Sequence, residues 1–182
     1  MLSLNKIYKT SNSSNNYWNV FRTILQTSIF WFIFLYLIPN AIVKLENENN
    51  SLHFENTTTL GWIPFGLFSF LGLFSGYTMS WFGKGTPLPF DCPQKLVVAG
   101  LYKYVRNPMA LAGIGQGASV GIILGSPMVI IYALIGAFLW HYLVRPSEEA
   151  DLLKRFGDQY IRYQKDIKCW VPDFKLIWKV KG

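Results

Sequence analysis

The segment 141–149 places an imidazole, a guanidinium and two carboxylates directly after a long apolar stretch. If it is helical, His141, Arg145 and either Glu148 or Glu149 share one face, because they are spaced by four, seven and eight residues. Such groups at the end of a membrane span are costly unless they are paired or functional. They could hold a cationic ligand; alternatively, the acids only complement the dipole of a helix start.

A second polar segment, 100–108, predicts an anion site at the start of a helix. Asn107 suits an N-cap and Pro108 suits the first helical position, so the unpaired N–H groups of the first turn favour an anion. Arg106 can hold a carboxylate through two parallel hydrogen bonds. Tyr102 could stack on an aromatic ring or face a cation. The alternative is a capped helix with aromatic anchors at the membrane interface.

The loop 85–93 lies between these groups and the preceding apolar segment. Pro87, Pro89 and Pro93 stiffen it and favour extended backbone. A long ordered loop of this kind often forms a lid over a site. A rigid connector explains the prolines equally well.

Four apolar segments must position these groups. Segments 20–38 and 60–82 each approach the roughly 20 residues that cross a bilayer core. The apolar stretch 110–144 is interrupted at Gly125-Ser126-Pro127, which predicts a tight helical hairpin. The sequence therefore predicts an all-α, polytopic membrane bundle of about four transmembrane helices. A C-terminal amphipathic helix, 147–165, is expected to follow on the cytoplasmic face.

The same patterns divide the chain into four parts. We expect a flexible leader (1–19), two transmembrane helices joined by an acidic external loop (20–82), a region carrying the chemistry (83–172) and a basic tail (173–182). The external loop is expected to begin at Pro39 and carries glycosylation sequons at Asn49-Asn50-Ser51 and Asn56-Thr57-Thr58, a weak signal.

Charge placement predicts the orientation. Lys and Arg collect in the leader, in the loop 83–106 and in the tail, whereas the first loop carries Glu46, Glu48 and Glu55. Because basic segments stay on the cytoplasmic side, both termini are expected there, in the inner membrane if the protein is bacterial.

Composition excludes several classes of protein. The chain is 51% hydrophobic and only 15% charged, so we do not expect disorder. The net charge of +7 flanks apolar spans and forms no single basic face, so nucleic-acid binding is not predicted. Two cysteines, Cys92 and Cys169, and two histidines form no zinc-type cluster, so no metal is expected. Both thiols are predicted to be reduced, with a disulfide between them as the alternative.

Taken together, the polar motifs form an ordered run that resembles the isoprenylcysteine carboxyl methyltransferase and phospholipid methyltransferase superfamily. Small bacterial members carry Gly-Thr-Pro-Leu-Pro-Phe-Asp before it, as residues 85–91 do here. The resemblance covers residues 83–172 and rests on Gly100, Tyr102, Arg106, Asn107, Pro108, Glu148, Glu149, Leu152, Phe156, Gly157, Tyr160, Tyr163, Val171 and Pro172.

The resemblance implies a membrane-embedded methyltransferase with a cytoplasmic S-adenosyl-L-methionine pocket, and a lipophilic or small acceptor (carboxylate, thiol or amine) that enters from the bilayer. Arg106 and the helix start at Pro108 would hold the carboxylate of the donor, and Glu148 a ribose or amino group. As catalytic residues, Arg145 with His141 would orient the acceptor. The implied cofactor-binding residues are Gln94, Lys95, Leu96, Val97, Gly100, Tyr102, Arg106, Asn107, Pro108, Met109, Ala110, Glu148 and Glu149.

The chain departs from the family pattern at three places. Asn107 replaces the usual His, Ala110 replaces a Tyr that helps cover the cofactor, and Val144 replaces an Arg typical of the prenylated-protein enzymes, with Arg145 one residue late. Two other interpretations stay open: a membrane reductase that uses a nicotinamide cofactor, and a non-enzymatic membrane scaffold or transporter subunit. The sequence leaves the acceptor and the oligomeric state undetermined.

Overall fold

A computed structural model describes residues 8–12, 15–48 and 58–172, and it is helical apart from its loops. Two π-helical segments, Phe32–Leu37 and Trp140–Val144, join α1 to α2 and α5 to α6. This confirms the all-α prediction. The helices are α1 (Asn16–Trp31), α2 (Ile38–Glu48), α3 (Thr58–Gly83), α4 (Pro108–Ile123), α5 (Pro127–Leu139), α6 (Arg145–Phe156) and α7 (Asp158–Asp166).

Among the described residues, three helical runs are long and apolar enough to cross a membrane: Asn16–Glu48, Thr59–Gly83 and Pro127–Phe156. The shorter apolar helix α4 packs against α3 and α5. Gly125 adopts a φ of +63° between α4 and α5, a conformation that favours glycine, and Ser126 caps α5 through Val129 N at 3.0 Å. The predicted helical hairpin is confirmed.

The first span is longer than the sequence predicted. Helix α1 begins at Asn16, and the run continues through Pro39 to Glu48, where we expected a loop. Proline removes one backbone donor from a helix and crowds the preceding turn. Here the π-helical segment Phe32–Leu37 ends two residues before Pro39 and widens that turn, so the helix continues. Pro146 follows the second π-helical segment, Trp140–Val144, at the same distance.

Glu46 also departs from the prediction of an acidic external loop. Its side chain is buried, and Oε2 accepts a hydrogen bond from Ser126 Oγ at 2.5 Å while Oε1 accepts one from Met128 N at 3.3 Å. The carboxylate therefore holds α2 against the start of α5. We call this the hairpin end of the bundle, and the end formed by residues 83–107, α6 and α7 the loop end.

Several predicted features lie outside the described residues. They are parts of the leader (1–7 and 13–14), the first sequon with the first two residues of the second (within 49–57), and the basic tail (173–182). Residues 8–12, which we expected to belong to a flexible leader, instead pair with the loop between α3 and α4 through a parallel bridge from Thr10 to Cys92.

The predicted C-terminal amphipathic helix is divided in two. Gly157, with a φ of +49°, separates α6 from α7, because a left-handed residue cannot continue the helix. Apolar side chains of α6 and α7 still pack as one group at the loop end, together with residues 96 and 167. They are Leu96, Leu152, Phe156, Tyr160, Tyr163 and Ile167.

Small residues bring α3 close to α4, and this contact gives a stability prediction. A Cβ on Gly61 would lie 2.8 Å from Ile123 N and 3.0 Å from Ser119 O, whereas one on Gly66 would meet nothing within 4 Å. We expect Gly61→Ala to lower the unfolding free energy in detergent by about 1–3 kcal/mol, because backbone atoms must move apart.

The matched change Gly66→Ala, on the same helix, is expected to be neutral or to stabilise by up to about 1 kcal/mol through helix propensity. Equal effects of the two substitutions would contradict this packing.

Candidate active site

The start of α4 and the start of α6 meet at the loop end. Arg106 Nη1 forms an ion pair with Glu149 Oε1 at 2.7 Å, and Asn107 Nδ2 donates to Glu148 Oε2 at 3.4 Å. Asn107 is the predicted N-cap, since its Oδ1 accepts a hydrogen bond from Ala110 N at 3.3 Å. Two motifs about 40 residues apart in sequence are thus in direct contact.

Arg106 is held from several sides. Its Nη1 also donates to the hydroxyl of Tyr160 at 3.3 Å, and its backbone N–H donates to Lys168 O at 3.0 Å. Burial raises the pKa of Tyr160 to about 12, so its phenol stays neutral beside the guanidinium. Arg106 Nε is buried and has no hydrogen-bond partner among the described residues. The buried Nε–H of a fixed cation therefore remains available to a ligand.

A cavity of about 540 Å³ opens beside this junction. At the loop end its wall is polar, with the carboxylates of Glu148 and Asp151 and the guanidinium of Arg155. Nine of the residues implied by the family resemblance line the cavity: Lys95, Leu96, Val97, Tyr102, Arg106, Asn107, Met109, Ala110 and Glu148.

Away from the loop end, the cavity is lined by apolar residues of three helical runs. The α1 run contributes Phe30 and Phe34, α4 contributes Ile114, and α5 contributes Ala133. Tyr132 of α5 donates a hydrogen bond to Phe34 O, at 3.3 Å, across this region. Phe30 and Phe34 are also partly exposed, so this part of the cavity lies at the apolar surface of the bundle.

The proline-rich loop forms a roof over the polar part of the cavity. Pro87, Pro89 and Pro93 all line it. Arg22 of α1 pairs with Asp91 at 3.0 Å, and Arg155 of α6 donates to Pro93 O at 2.7 Å. The loop is therefore tied to two helices, and both the lid and the rigid connector remain open interpretations of it.

Sequence reasoning missed the pair Asp151 and Arg155. Arg155 Nε and Nη2 both lie 2.6 Å from Asp151 Oδ2. The same guanidinium donates to Pro93 O of the loop, so it binds the carboxylate and the loop at once. The signal was present, since Asp and Arg four residues apart form ion pairs on a helix. The contact with the roof could not be found this way, because it depends on the tertiary arrangement.

Other predicted site residues lie outside the cavity wall. Gln94 Nε2 donates to Ser11 O at 2.8 Å, Gly100 makes a turn with a φ of +52°, and Pro108 is the buried first residue of α4. Glu149 pairs with Arg106 and also accepts a hydrogen bond from Gln164 at 3.2 Å. These four residues contact their neighbours in the fold and do not line the cavity.

The two residues predicted to orient the acceptor also lie outside the cavity wall. His141 Nδ1 accepts a hydrogen bond from Trp170 Nε1 at 2.8 Å, and the two rings stack. Arg145 interacts with the Cys169 thiol. Their role towards an acceptor stays a prediction, and the contacts show them fixing residues 169–170 against the end of α5.

Both cysteines are free thiols and buried. Burial raises the pKa of the Cys92 thiol to about 11, and it also raises that of Cys169. Because the thiolate is the reactive form, we expect maleimide labelling of both at pH 7 to be slow in the native protein and fast after denaturation. Rapid labelling of native Cys92 would contradict its buried position.

One comparison with known proteins identifies a family for this chain. A model of the phospholipid methyltransferase family matches residues 57–159, more than half of the chain and all of the α3–α6 region. No curated protein matches the chain. The family match confirms the resemblance predicted from the motifs around Arg106 and Glu148. The chain therefore belongs to the phospholipid methyltransferase family, a family of membrane methyltransferases.

Proposed function

We propose that this protein transfers a methyl group from S-adenosyl-L-methionine to a lipophilic acceptor, and that both bind in the cavity beside α4 and α6. One observation carries the proposal. Arg106 and Asn107 at the start of α4 contact the two carboxylates at the start of α6, and this junction borders a cavity that is polar on one side and apolar on the other.

The residues of the polar part fit the donor. S-adenosyl-L-methionine carries an ammonium, a sulfonium, a carboxylate and an adenine ring. Glu148 supplies a carboxylate that can pair with a cationic group, whereas Asp151 is already paired with Arg155. The unpartnered Nε of Arg106 supplies a donor for the carboxylate of the donor molecule. Phe156 and its apolar neighbours offer a surface for the ring. The cavity volume of about 540 Å³ lies in the range usual for small-molecule sites.

The ion pair with Glu149 limits which edge of Arg106 a ligand could use. Its Nη1 is already bonded to Glu149, so the guanidinium cannot give both of its terminal nitrogens to a ligand without breaking that pair. Arg106 is better suited to donate from its Nε edge, with Glu149 holding the guanidinium plane in place. Glu148, whose contact to Asn107 is long at 3.4 Å, keeps more capacity to accept from a ligand.

The donor supplies an activated methyl on its sulfonium, so the chain is not required to provide strong acid or base catalysis. Its residues bind the donor, fix its orientation and keep water out. The roof residues Pro87, Pro89 and Pro93 cover the polar part, tied down by Arg22 and Arg155. The apolar residues Phe30, Phe34 and Ile114 would receive the lipophilic part of the acceptor from the bilayer.

The charge pattern supports an orientation with the loop end in the cytoplasm. Arg106, Arg155 and the lysines of 83–103 all belong to that end, whereas Glu46 lies at the hairpin end. Basic residues favour the cytoplasmic side of a membrane. In this orientation the donor pocket would face the cytoplasm.

The direct test is transfer of labelled methyl by purified protein in detergent or vesicles. The acceptors are phosphatidylethanolamine, S-farnesylcysteine, an alkyl thiol and a small carboxylate. We expect label to appear on at least one lipophilic acceptor and to depend on Glu148. Absence of S-adenosyl-L-methionine binding, or binding of NADPH in its place, would overturn the proposal in favour of a reductase or a non-enzymatic role.

A further inference from the structure

Residues 8–12 lie along the roof loop like a strap. Lys9 N donates to Pro89 O at 2.7 Å, Cys92 N donates to Lys9 O at 2.8 Å, and Ser11 N donates to Cys92 O at 2.9 Å. Gln94 Nε2 adds a bond to Ser11 O at 2.8 Å. These contacts pair the strap with the loop as two short extended segments, so the position of residue 8 is fixed by backbone bonds.

This pairing brings Tyr8 to the cavity. The Tyr8 hydroxyl lies 2.8 Å from Ser147 Oγ, and Tyr8 lines the cavity together with Pro89, Cys92 and Glu148. Ser147 in turn donates to Val144 O at 2.8 Å, which fixes the hydroxyl on α6. Burial raises the pKa of the Tyr8 phenol, with the nearby carboxylates of Glu148 and Asp151 acting in the same direction, so the group stays neutral.

We propose that Tyr8 is a donor-binding residue: the strap places its ring in the wall of the S-adenosyl-L-methionine pocket, and the bond to Ser147 holds it next to Glu148. The inference rests on the proposed function and extends it to the N-terminal segment. A tyrosine ring offers an aromatic face to an adenine or to a sulfonium cation, the two features of this donor that a neutral ring recognises. Because residues 8–12 are hydrogen-bonded to the roof loop, donor binding at Tyr8 would also stabilise the loop in its position over the cavity.

The test measures the dissociation constant of S-adenosyl-L-methionine for the full chain in detergent. We expect Tyr8→Leu to weaken binding roughly three- to tenfold, the effect of losing one aromatic contact. Tyr8→Phe keeps the ring and loses the bond to Ser147, so it should fall between wild type and Tyr8→Leu. The control is Tyr17→Leu, which removes an exposed ring that does not line the cavity and should leave binding unchanged.

A second pair of variants tests the strap with Tyr8 intact. Lys9→Pro removes the N–H that donates to Pro89 O, whereas Lys9→Ala keeps it. We expect only the proline to weaken binding, and we expect added donor to slow hydrogen exchange at residues 8–12 in the wild type.

The outcomes separate the two proposals. If the wild type does not bind S-adenosyl-L-methionine, the proposed function fails and this inference with it. If the wild type binds but Tyr8→Leu and Lys9→Pro bind as well as their controls, the strap is only a structural tether and this inference is wrong. Equal losses in Tyr8→Phe and Tyr8→Leu would assign the effect to the hydroxyl and overturn the ring contact.

Discussion

Glu148→Gln is expected to weaken S-adenosyl-L-methionine binding roughly 10- to 100-fold, the effect of losing a hydrogen bond to a charged group. Glutamine has nearly the same shape as glutamate and can still accept the bond from Asn107 Nδ2, so the contact between α4 and α6 should survive. What disappears is the carboxylate that can pair with a cationic donor in the polar part of the cavity. The measurement is a binding isotherm on purified protein in detergent.

Glu48→Gln is the matched control. Glu48 is exposed at the end of α2, away from the loop end of the bundle, and the substitution makes the same change from carboxylate to amide. Long-range electrostatics is largely screened at physiological salt, so binding should be unchanged. Similar losses in both variants, or none in Glu148→Gln, would show that Glu148 does not touch the donor.

Arg106→Met is expected to have two effects, loss of donor binding and loss of stability. The Arg106 and Glu149 side chains are only 12% and 20% exposed, so removal of the guanidinium leaves a mostly buried carboxylate without its partner. Breaking such a pair costs about 3 kcal/mol, towards the lower end of the usual range because some water reaches Glu149. The unfolding free energy in detergent measures this cost.

The double variant Arg106→Met with Glu149→Leu separates the two effects. With both charges removed, we expect most of the lost stability to return, because apolar pairs replace buried ion pairs at little cost. Donor binding should not return, since the Nε donor is still missing. Recovery of binding in the double variant would show that Arg106 acts only by neutralising Glu149.

Local signals predicted the parts of the fold that depend on adjacent residues. Asn107-Pro108 and Ser126-Pro127 each combine a capping side chain with a proline, which has no backbone N–H left unpaired in the first turn. Both pairs begin a helix where expected. The contact between α4 and α6 was predicted from topology, because apolar spans on either side of a tight hairpin must return to the same membrane face.

The rest depends on tertiary context. A proline such as Pro39 normally favours the end of a helix. Here the π-helical segment before it lets the helix continue, and no local sequence pattern predicts that segment. From its sequence context, Glu46 was expected in a solvated loop. Its burial depends on the hydrogen bond from Met128 N at the start of α5, which no local pattern predicts. Residues 8–12 have no apolar periodicity, so only their pairing with the loop reveals their role.

The most direct measurement is photo-crosslinking of labelled S-adenosyl-L-methionine to the purified full chain, followed by peptide mapping. If the donor occupies the cavity beside α4 and α6, saturable label should appear on peptides from 87–110 or 145–156, and unlabelled donor should compete it away. Label on peptides around Glu46 and Ser126 at the hairpin end, or no saturable label, would contradict the account.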